Sequence, residues 1–298
     1  MQITIQKGKS SSGIELQDYD YGFFGEVLDD RGAMAVKTLK EKCNAVVKVS
    51  YEPEDFKVSF DDQTVDIDDI EELTNGYFDK NCLLDATTLG FVEILVLSKS
   101  LIPKRGLDYL YIEPGEYFRP EHTNILHKRD FELSGEIKGF KAIPGFSALI
   151  TDDIDHKVVF ILGFESSRVE KAFEDHQMIN KKDCDLIFGF PAFNPGWEMN
   201  SFANHIDLIQ QYSIQGDIKF GAATDPLATY SIIKKIDDSL ETDKQLFISP
   251  LGTKPMAIGC ALFVSENPDT AILYDHPQKK PGRSTDTNIW HLYKIDSK

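Results

Sequence analysis

The rhythm of the chain after about residue 80 is the feature that most limits what it can fold into. Short, wholly apolar runs there are each followed by a segment with helical periodicity. Such runs are typical of strands buried on both faces, and the helices provide the crossovers that parallel strands require. The sequence therefore predicts an α/β fold in which helices cover both faces of a mostly parallel sheet.

The predicted elements alternate along this part of the chain. Strands are predicted at residues 82–85, 109–112, 157–163, 185–189, 218–223 and 245–249. Helices are predicted at residues 90–100, 169–175, 201–211, 226–240 and 254–264. Two further apolar runs, 271–274 and 289–295, have no helix between them, which favours an antiparallel pair at the edge of the sheet.

The first 75 residues have a different pattern. A helix is predicted at residues 32–43, and two alternating runs, 45–51 and 56–60, flank a turn that contains Pro53. Alternation on both sides of a proline-containing turn predicts a hairpin. We therefore expect an N-terminal α+β extension at residues 1–75 and a larger domain at residues 76–298 that ends in the antiparallel edge.

The charge of the chain limits its partners. Lys and Arg number 32 and Asp and Glu 49, which gives a formal net charge of −17. This charge repels nucleic-acid backbones and anionic membranes, so a general nucleic-acid-coating role is disfavoured. No apolar stretch approaches the roughly 20 residues that span a bilayer, and the first residues lack a signal-peptide core. We therefore expect a cytoplasmic protein without a membrane partner.

Polar loops rich in Gly or Pro follow the predicted strands. Ligands bind at the carboxyl ends of the strands in an open parallel sheet, so these loops indicate a binding cleft. The most distinctive loop is Gly252-Thr253-Lys254-Pro255-Met256, in which Gly252 allows a tight turn before a helix. The helix N-terminus and the Lys254 ammonium favour an anion such as phosphate. The alternative is a well-capped helix with a solvent-exposed lysine.

A second informative loop, Asp85-Ala86-Thr87-Thr88, follows the first strand of the predicted sheet. The hydroxyls of Thr87 and Thr88 can donate to a phosphate or a ribose, or they can cap the helix that follows. Because both loops are expected at the same edge of one sheet, together they favour a ligand.

The segments 85–88 and 249–256 resemble two signature loops of the CRISPR-associated Rossmann-fold (CARF) sensor domains. The resemblance covers about residues 80–265 and implies a Rossmann-like fold. It also implies that both loops contact the phosphates and riboses of a cyclic oligonucleotide, usually across a homodimer interface. No effector domain, such as a nuclease, is recognisable in the sequence after these segments.

Other polar residues near predicted strand ends have alternative interpretations. Arg168 can clamp a phosphate bidentately, or it can form a surface ion pair with Glu165. Trp197 follows the turn Asn194-Pro195-Gly196 and can stack on a nucleobase or cover the edge of the core. We therefore include Glu165, Arg168, Asn194 and Trp197 among the candidate ligand-binding residues.

Five carboxylates lie just past predicted strand ends: Asp85, Glu113, Glu165, Glu198 and Asp225. A cluster of three or more could hold Mg²⁺, whose preference for oxygen ligands suits phosphoryl chemistry. Asp225 is equally suited to cap the helix that begins at Pro226. The four cysteines form no Cys-x-x-Cys pair, so neither a zinc site nor a redox motif is indicated.

The sequence thus favours a Rossmann-like protein that binds a nucleotide or another phosphorylated ligand. The candidate residues are Asp85, Thr87, Thr88, Glu165, Arg168, Asn194, Trp197, Gly252, Thr253 and Lys254. The leading function is that of a sensor or interaction subunit. The resemblance further implies that the chain is homo-oligomeric and belongs to a bacterial antiviral defence system, whose other proteins would be its partners. Two alternatives are a metal-dependent enzyme acting on nucleic acid or nucleotide phosphates and a structural subunit that binds a protein.

Overall fold

In a computed structural model, the chain forms two compact units. One consists of Met1–Tyr117 with Pro281–Lys298, and the other of Phe118–Lys280. The structure describes residues 2–102, 107–118, 131, 133–137, 139–148, 155–241 and 243–296. Within these residues, no helix combines the length and the apolar character that crossing a membrane requires.

The described part of the chain is a mixed α/β protein. Its strands are β1 (Gln2–Gly8), β2 (Tyr19–Phe24), β3 (Cys43–Glu52), β4 (Lys57–Phe60), β5 (Gln63–Asp66), β6 (Cys82–Asp85), β7 (Leu107–Tyr117), β8 (Ser134–Ile137), β9 (His156–Leu162), β10 (Cys184–Gly189), β11 (Ile218–Gly221), β12 (Gln245–Pro250), β13 (Ala271–Ile272), β14 (Pro277–Lys279) and β15 (Ser284–Asp296). Its α-helices are α1 (Asp30–Lys42), α2 (Ile70–Thr74), α3 (Phe91–Leu101), α4 (Ser167–Asp175), α5 (Trp197–Gln211), α6 (Pro226–Asp237) and α7 (Lys254–Glu266).

The first unit is built on an eight-stranded mixed sheet in the order β1-β15-β7-β6-β2-β3-β4-β5. The four strands β7, β6, β2 and β3 are parallel neighbours. The antiparallel strands β15 and β1 extend the sheet on one side, and β4 and β5 extend it on the other. The helix α1 connects β2 to β3, and α3 connects β6 to β7, as parallel neighbours require.

Helices pack on both faces of this first sheet. On one face, Ala35 and Leu39 of α1 belong to a buried cluster with strand residues such as Leu110 and Leu292. On the other face, the hydroxyls of Ser98 on α3 and Tyr109 on β7 lie 2.7 Å apart and share a hydrogen bond. Because successive residues of a strand point to opposite faces, β7 must be apolar on one side and can carry tyrosines on the other.

The second unit contains a five-stranded parallel sheet in the order β11-β10-β9-β12-β13. The chain runs outward from β9 through β10 to β11 and then returns to the other side of β9 as β12. The helices α4 and α5 cover one face, where Phe173 and Leu208 pack with Phe160 and Phe188. The helices α6 and α7 lie on the other, where Cβ atoms at Gly221 and Gly189 would contact Ile232 of α6 and Met256 of α7.

The local predictions from periodicity are confirmed in this fold. Every helix predicted after residue 80 is present with its ends within a few residues, and the helix predicted at residues 32–43 is α1. The predicted hairpin is β3 and β4, which pair antiparallel. The apolar runs at β6, β9, β10 and β12 are strands that are almost wholly buried, because a strand between two helical layers has no side facing water. The run at β11 is also a strand, but it lies at the edge of its sheet and is mostly not buried.

Two predictions about how these elements assemble are wrong. The strands after residue 80 do not form one sheet: β6 and β7 belong to the first sheet, and β9, β10, β11 and β12 belong to the second. The expected antiparallel pair of residues 271–274 and 289–295 is also absent. The strand β13 instead lies parallel to β12 after the α7 crossover, and β15 pairs with β7 and β1.

The predicted boundary between residues 75 and 76 falls inside the first sheet. Tyr21 of β2 is the register partner of both Ala45 on β3 and Cys82 on β6. The segment 1–75 and the strands that follow it therefore share one sheet. The sequence did not predict that β2 belongs to this sheet, because Asp20 and Gly22 interrupt its apolar pattern.

Candidate functional site

The carboxyl ends of β9 and β12 form the most distinctive site of the second unit. They lie at the point where the strand order of the sheet reverses, which is where open α/β sheets bind ligands. The loops that follow the two strands approach closely: a Cβ atom on Gly163 would lie 2.5 Å from the carbonyl oxygen of Leu251. Gly163 therefore has to be glycine for the two loops to meet in this way.

The loop after β12 delivers the N-terminus of α7 to this point. A Cβ atom on Gly252 would lie 3.0 Å from Ile161 Cγ2 and 3.2 Å from the carbonyl oxygen of Leu162, so this glycine permits the close turn. The Thr253 hydroxyl donates a 2.6 Å hydrogen bond to the carbonyl of Ala223. It makes no capping hydrogen bond to the α7 amides.

The helix α7 thus begins without a side-chain cap within the described part of the chain, and its first residue is the half-buried Lys254. The first N–H groups of a helix have no intrahelical acceptor and carry partial positive charge. By comparison, the amides of Leu227 and Ala228 at the start of α6 donate to the carboxylate of Asp225. The start of α7 is therefore the better suited of the two to accept an external anion.

Arg168 is a buried charge beside these loops, with 8% of its surface exposed. Its Nε and Nη2 donate to the two carboxylate oxygens of Asp275 at 2.7 and 2.6 Å, and its Nη1 donates to the carbonyl of Leu251 at 3.3 Å. Burial acts to lower the pKa of Arg168, but the Asp275 carboxylate holds that pKa above its ordinary value. The structure thus pairs Arg168 with Asp275, whereas the sequence suggested a phosphate clamp or an ion pair with Glu165.

Glu165 instead organises the backbone before and within β8. One oxygen of its carboxylate accepts from the amides of Leu133 and Ser134 at 3.2 and 3.0 Å. The other oxygen accepts a 2.8 Å hydrogen bond from the Ser134 hydroxyl. These bonds satisfy the carboxylate within the protein, so Glu165 has a structural role in this arrangement.

Trp197 is a buried residue at the start of α5, and only 8% of its surface is exposed. Its ring lies 5.1 Å from Phe131 and 6.2 Å from Phe164, measured between ring centroids. The preceding Gly196 has a φ of 91°, a left-handed conformation that favours glycine, and the Trp197 amide donates to the carbonyl of Asn194. This geometry favours the interpretation that Trp197 covers the core.

The Asp85–Thr88 loop lies in the first unit, so it does not share a sheet edge with the α7 loop. Asp85 accepts from the Thr87 amide at 2.9 Å and from the Thr88 hydroxyl at 2.5 Å. Thr87 Oγ1 accepts from the Ile112 amide of β7, and Thr88 Oγ1 accepts from the Gly25 amide after β2. The two hydroxyls therefore join neighbouring strands, and the N-cap of α3 is Gly90.

A polar cluster in the first unit was not predicted from the sequence. The Arg31 side chain is buried, with Nη2 2.9 Å from the Asp29 carboxylate and Nη1 donating to the carbonyl of Ile112. The same carboxylate accepts a 2.5 Å hydrogen bond from the Ser284 hydroxyl of β15. These contacts connect α1, β7 and β15 across long sequence separations, which residue spacing alone does not encode.

The strands β7 and β15 also share a second buried polar pair, formed by Glu113 and His291. His291 Nε2 lies 2.6 Å from Glu113 Oε1, and Asn288 donates to the other Glu113 oxygen at 3.3 Å. The Nδ1 atom of His291 is buried and has no hydrogen-bond partner among the described residues. Glu113 lies inside β7, which continues to Tyr117, so it is not the strand-end residue that the sequence predicted.

The predicted Mg²⁺ site is not assembled by the described residues. Asp85 and Glu113 belong to the first unit, while Glu165, Glu198 and Asp225 belong to the second. Within the described parts of the chain, no group of three or more His, Cys, Asp or Glu side chains could hold a metal ion. Asp225 is the N-cap of α6, as the alternative interpretation held, and Glu198 accepts from the Gly196 amide.

Acid should weaken the contacts of Asp29. Burial acts to raise the pKa of Asp29, but Arg31 and the hydrogen bonds from Ser284 and Gly32 hold it below its ordinary value. A group whose pKa is depressed in the folded state stabilises the fold at pH values above its unfolded-state pKa. This contribution disappears as the pH falls through the folded-state pKa. We expect Asp29→Asn to flatten the loss of stability below about pH 4 in urea melts. Asp30→Asn, on an exposed neighbour, should leave the pH dependence of the wild type unchanged.

No family model matches the chain, and no curated protein is significantly similar to it in sequence.

Proposed function

We propose that the second unit is a Rossmann-like module that binds a nucleotide or another phosphorylated small ligand at the carboxyl ends of β9 and β12. On this proposal the chain acts as a sensor or interaction subunit. The observation that carries the proposal is the start of α7 at the reversal of strand order, with Lys254 as its first residue and no side-chain cap within the described residues.

Physical chemistry favours an anionic ligand at this position. The partial positive charge of a helix N-terminus attracts phosphate, and unpaired N–H groups point towards the bound oxygens. An ammonium group at the first helical position adds a full positive charge in a chain whose formal net charge is −17. A local cationic site in an acidic protein selects small anions while the rest of the surface repels nucleic-acid backbones.

The resemblance to CARF domains adds the class of ligand and a biological setting to the proposal. The α7 loop carries the more distinctive half of that resemblance, and it lies where the strand order of the second sheet reverses. The half formed by Asp85, Thr87 and Thr88 lies in the other unit and joins strands instead. The parts of the proposal that come from the resemblance are a cyclic oligonucleotide as ligand, a homo-oligomeric state and a bacterial antiviral defence system. Their support from the resemblance therefore comes from the α7 loop alone.

Lys254→Ala tests the site directly. Losing a charge-assisted hydrogen bond typically costs about 1.5–3 kcal/mol, so we expect nucleotide affinity to fall roughly ten- to hundredfold. The melting temperature of the unliganded protein should change little, because Lys254 is only half buried. Titration calorimetry with inorganic phosphate, linear nucleotides and cyclic oligonucleotides measures the affinity and separates the ligand classes.

A lysine remote from the loop provides the matched control. Lys235 is exposed in the last turn of α6, so Lys235→Ala removes the same charge without touching the start of α7. We expect this variant to bind as the wild type does. Equal affinities for Lys254→Ala and Lys235→Ala, or no binding of any ligand to the wild type, would contradict the proposed site.

A further inference from the structure

The outer edge of the second sheet carries an exposed apolar patch. Ile218 and Phe220 on the edge strand β11 are about half exposed, as are Met199 and Ile206 on α5 and Phe190 after β10. The rings of Phe190 and Phe220 lie 6.2 Å apart, and Phe220 also lies 5.7 Å from Phe202 of α5, so these aromatic side chains are neighbours on this edge. Exposed apolar side chains that cluster in this way mark an interaction surface more often than scattered ones do.

The backbone beside this patch is an open strand edge. The carbonyls of Asp217 and Gly221 accept hydrogen bonds from the Leu186 and Phe190 amides of the neighbouring strand. Because the direction of the peptide groups alternates along a strand, the N–H and C=O groups of Ile218 and Phe220 point away from β10. The strand thus presents two donors and two acceptors on the side where the five-stranded sheet ends.

The sequence of this edge is complementary to itself. An antiparallel copy of β11, related by a two-fold axis at Lys219, would place Ile218 opposite Phe220 in both directions. Both pairs would be of the hydrogen-bonded type, since both residues direct their peptide groups outward. The apolar side chains of the two copies would then meet on the α5 side of the sheet, where the ring of Phe202 lies 5.7 Å from that of Phe220.

The charges at the edge fit the same arrangement. Lys219 Nζ lies 2.7 Å from the Asp217 carboxylate and 3.7 Å from that of Asp185, so each ammonium group is already compensated within its own chain. In the two-fold register the two Lys219 side chains lie directly opposite each other, and each is also diagonal to Asp217 of the second copy. The Asp217 and Asp185 carboxylates of both copies therefore surround the two ammonium groups and offset their repulsion. A second copy of this chain brings these carboxylates with it, which favours it over an unrelated strand.

We infer that the chain forms a homodimer through antiparallel pairing of β11 about a two-fold axis at Lys219. Such an interface is isologous, because the same surface of each copy contributes to it. It joins the two five-stranded sheets into one continuous sheet and covers the apolar patch. This inference is independent of the proposed ligand site, which lies at the carboxyl ends of β9 and β12.

Disulfide trapping tests the register. In a non-hydrogen-bonded antiparallel pair the Cα atoms lie about 4.5 Å apart, a separation that a disulfide can bridge. We expect Lys219→Cys to form a covalent dimer under mild oxidation, seen on a non-reducing gel. Asp217→Cys is the matched control, because the two copies of residue 217 would be four residues out of register, or about 13 Å apart. In the parent protein Cys82, Cys184 and Cys260 are buried and Cys43 is partly buried, so it should remain monomeric on the same gel.

The oligomeric state in solution tests the patch. We expect light scattering coupled to gel filtration to give the mass of a dimer for the wild type and of a monomer for Phe220→Glu. Met178→Glu places the same charge on another exposed apolar residue of the second unit, outside the patch, and should remain dimeric. A monomeric wild type, a dimeric Phe220→Glu variant, or equal trapping of the cysteine variants at 217 and 219 would overturn the inference.

Discussion

Asp275→Ala is expected to lower the free energy of unfolding by about 3–5 kcal/mol, because it leaves the buried Arg168 guanidinium without its carboxylate. Asp275 is fully buried and receives two hydrogen bonds from Arg168. The ion pair connects the start of α4 to the segment after β13, and Nη1 of the same arginine binds the β12 loop. Urea unfolding followed by circular dichroism measures the loss.

A surface ion pair on the same helix provides the comparison. Lys171 and Asp175 lie one turn apart on α4, with 2.9 Å between nitrogen and oxygen, and the lysine is in contact with solvent. We expect Asp175→Ala to change stability far less than Asp275→Ala, because exposed pairs contribute little. Replacing both buried partners, as in Arg168→Met with Asp275→Leu, should restore most of the stability, since it leaves no unpaired charge. A single Asp275→Ala variant as stable as Asp175→Ala would show that Arg168 finds another partner.

The elements that the sequence predicted well are those whose signal is local. The helix α6 has an Asp cap, a proline in its first turn and an amphipathic period, and all three signals lie within its own residues. The strands β9 and β12 are apolar throughout because both of their faces are covered by helices. Neither signal depends on which other strand is the neighbour.

Strand pairing could not be predicted, because the residues of a buried apolar run do not indicate which other strand it pairs with. The run in β6 resembles those in β9 and β12, yet β6 pairs with β2, a strand whose pattern is broken by Asp20 and Gly22. The strand β15 returns to β7 from more than 150 residues away and completes the first sheet. Only the three-dimensional arrangement reveals that the chain leaves this unit after Tyr117 and rejoins it at Pro281.

The part of the candidate site that could be predicted is the part formed by one continuous segment of the chain. Gly252, Thr253 and Lys254 lie together at the start of α7 because they are adjacent in the chain. The partners of Arg168 and Glu165 lie 107 and 31 residues away, and sequence spacing could not identify them. The sequence does not distinguish a buried arginine that pairs with a distant carboxylate from an arginine that binds a phosphate ligand.

Trp197→Ala is expected to cost about 3–5 kcal/mol of folding free energy, which is typical when a large buried aromatic side chain is removed. Trp197 contacts the rings of Phe131 and Phe164, so its loss leaves a cavity beside the loop that follows β9. If Trp197 instead stacked on a bound nucleobase, the change would cost binding about 1–3 kcal/mol and stability little. Urea melts and nucleotide titrations of this one variant separate the two roles.

The chain offers an internal reporter for this experiment, because its two tryptophans lie in different units. In Trp197→Ala, the remaining Trp290 is buried in the first unit, in the cluster that includes Leu110 and Leu292. Circular dichroism follows both units, while the fluorescence of Trp290 follows the first alone. We expect the circular dichroism of the variant to change at a lower urea concentration than its fluorescence, since the cavity weakens the second unit only. If the circular dichroism and fluorescence transitions coincide and both shift to lower urea, the two units unfold as one. If neither transition shifts relative to the wild type, Trp197 does not support the core.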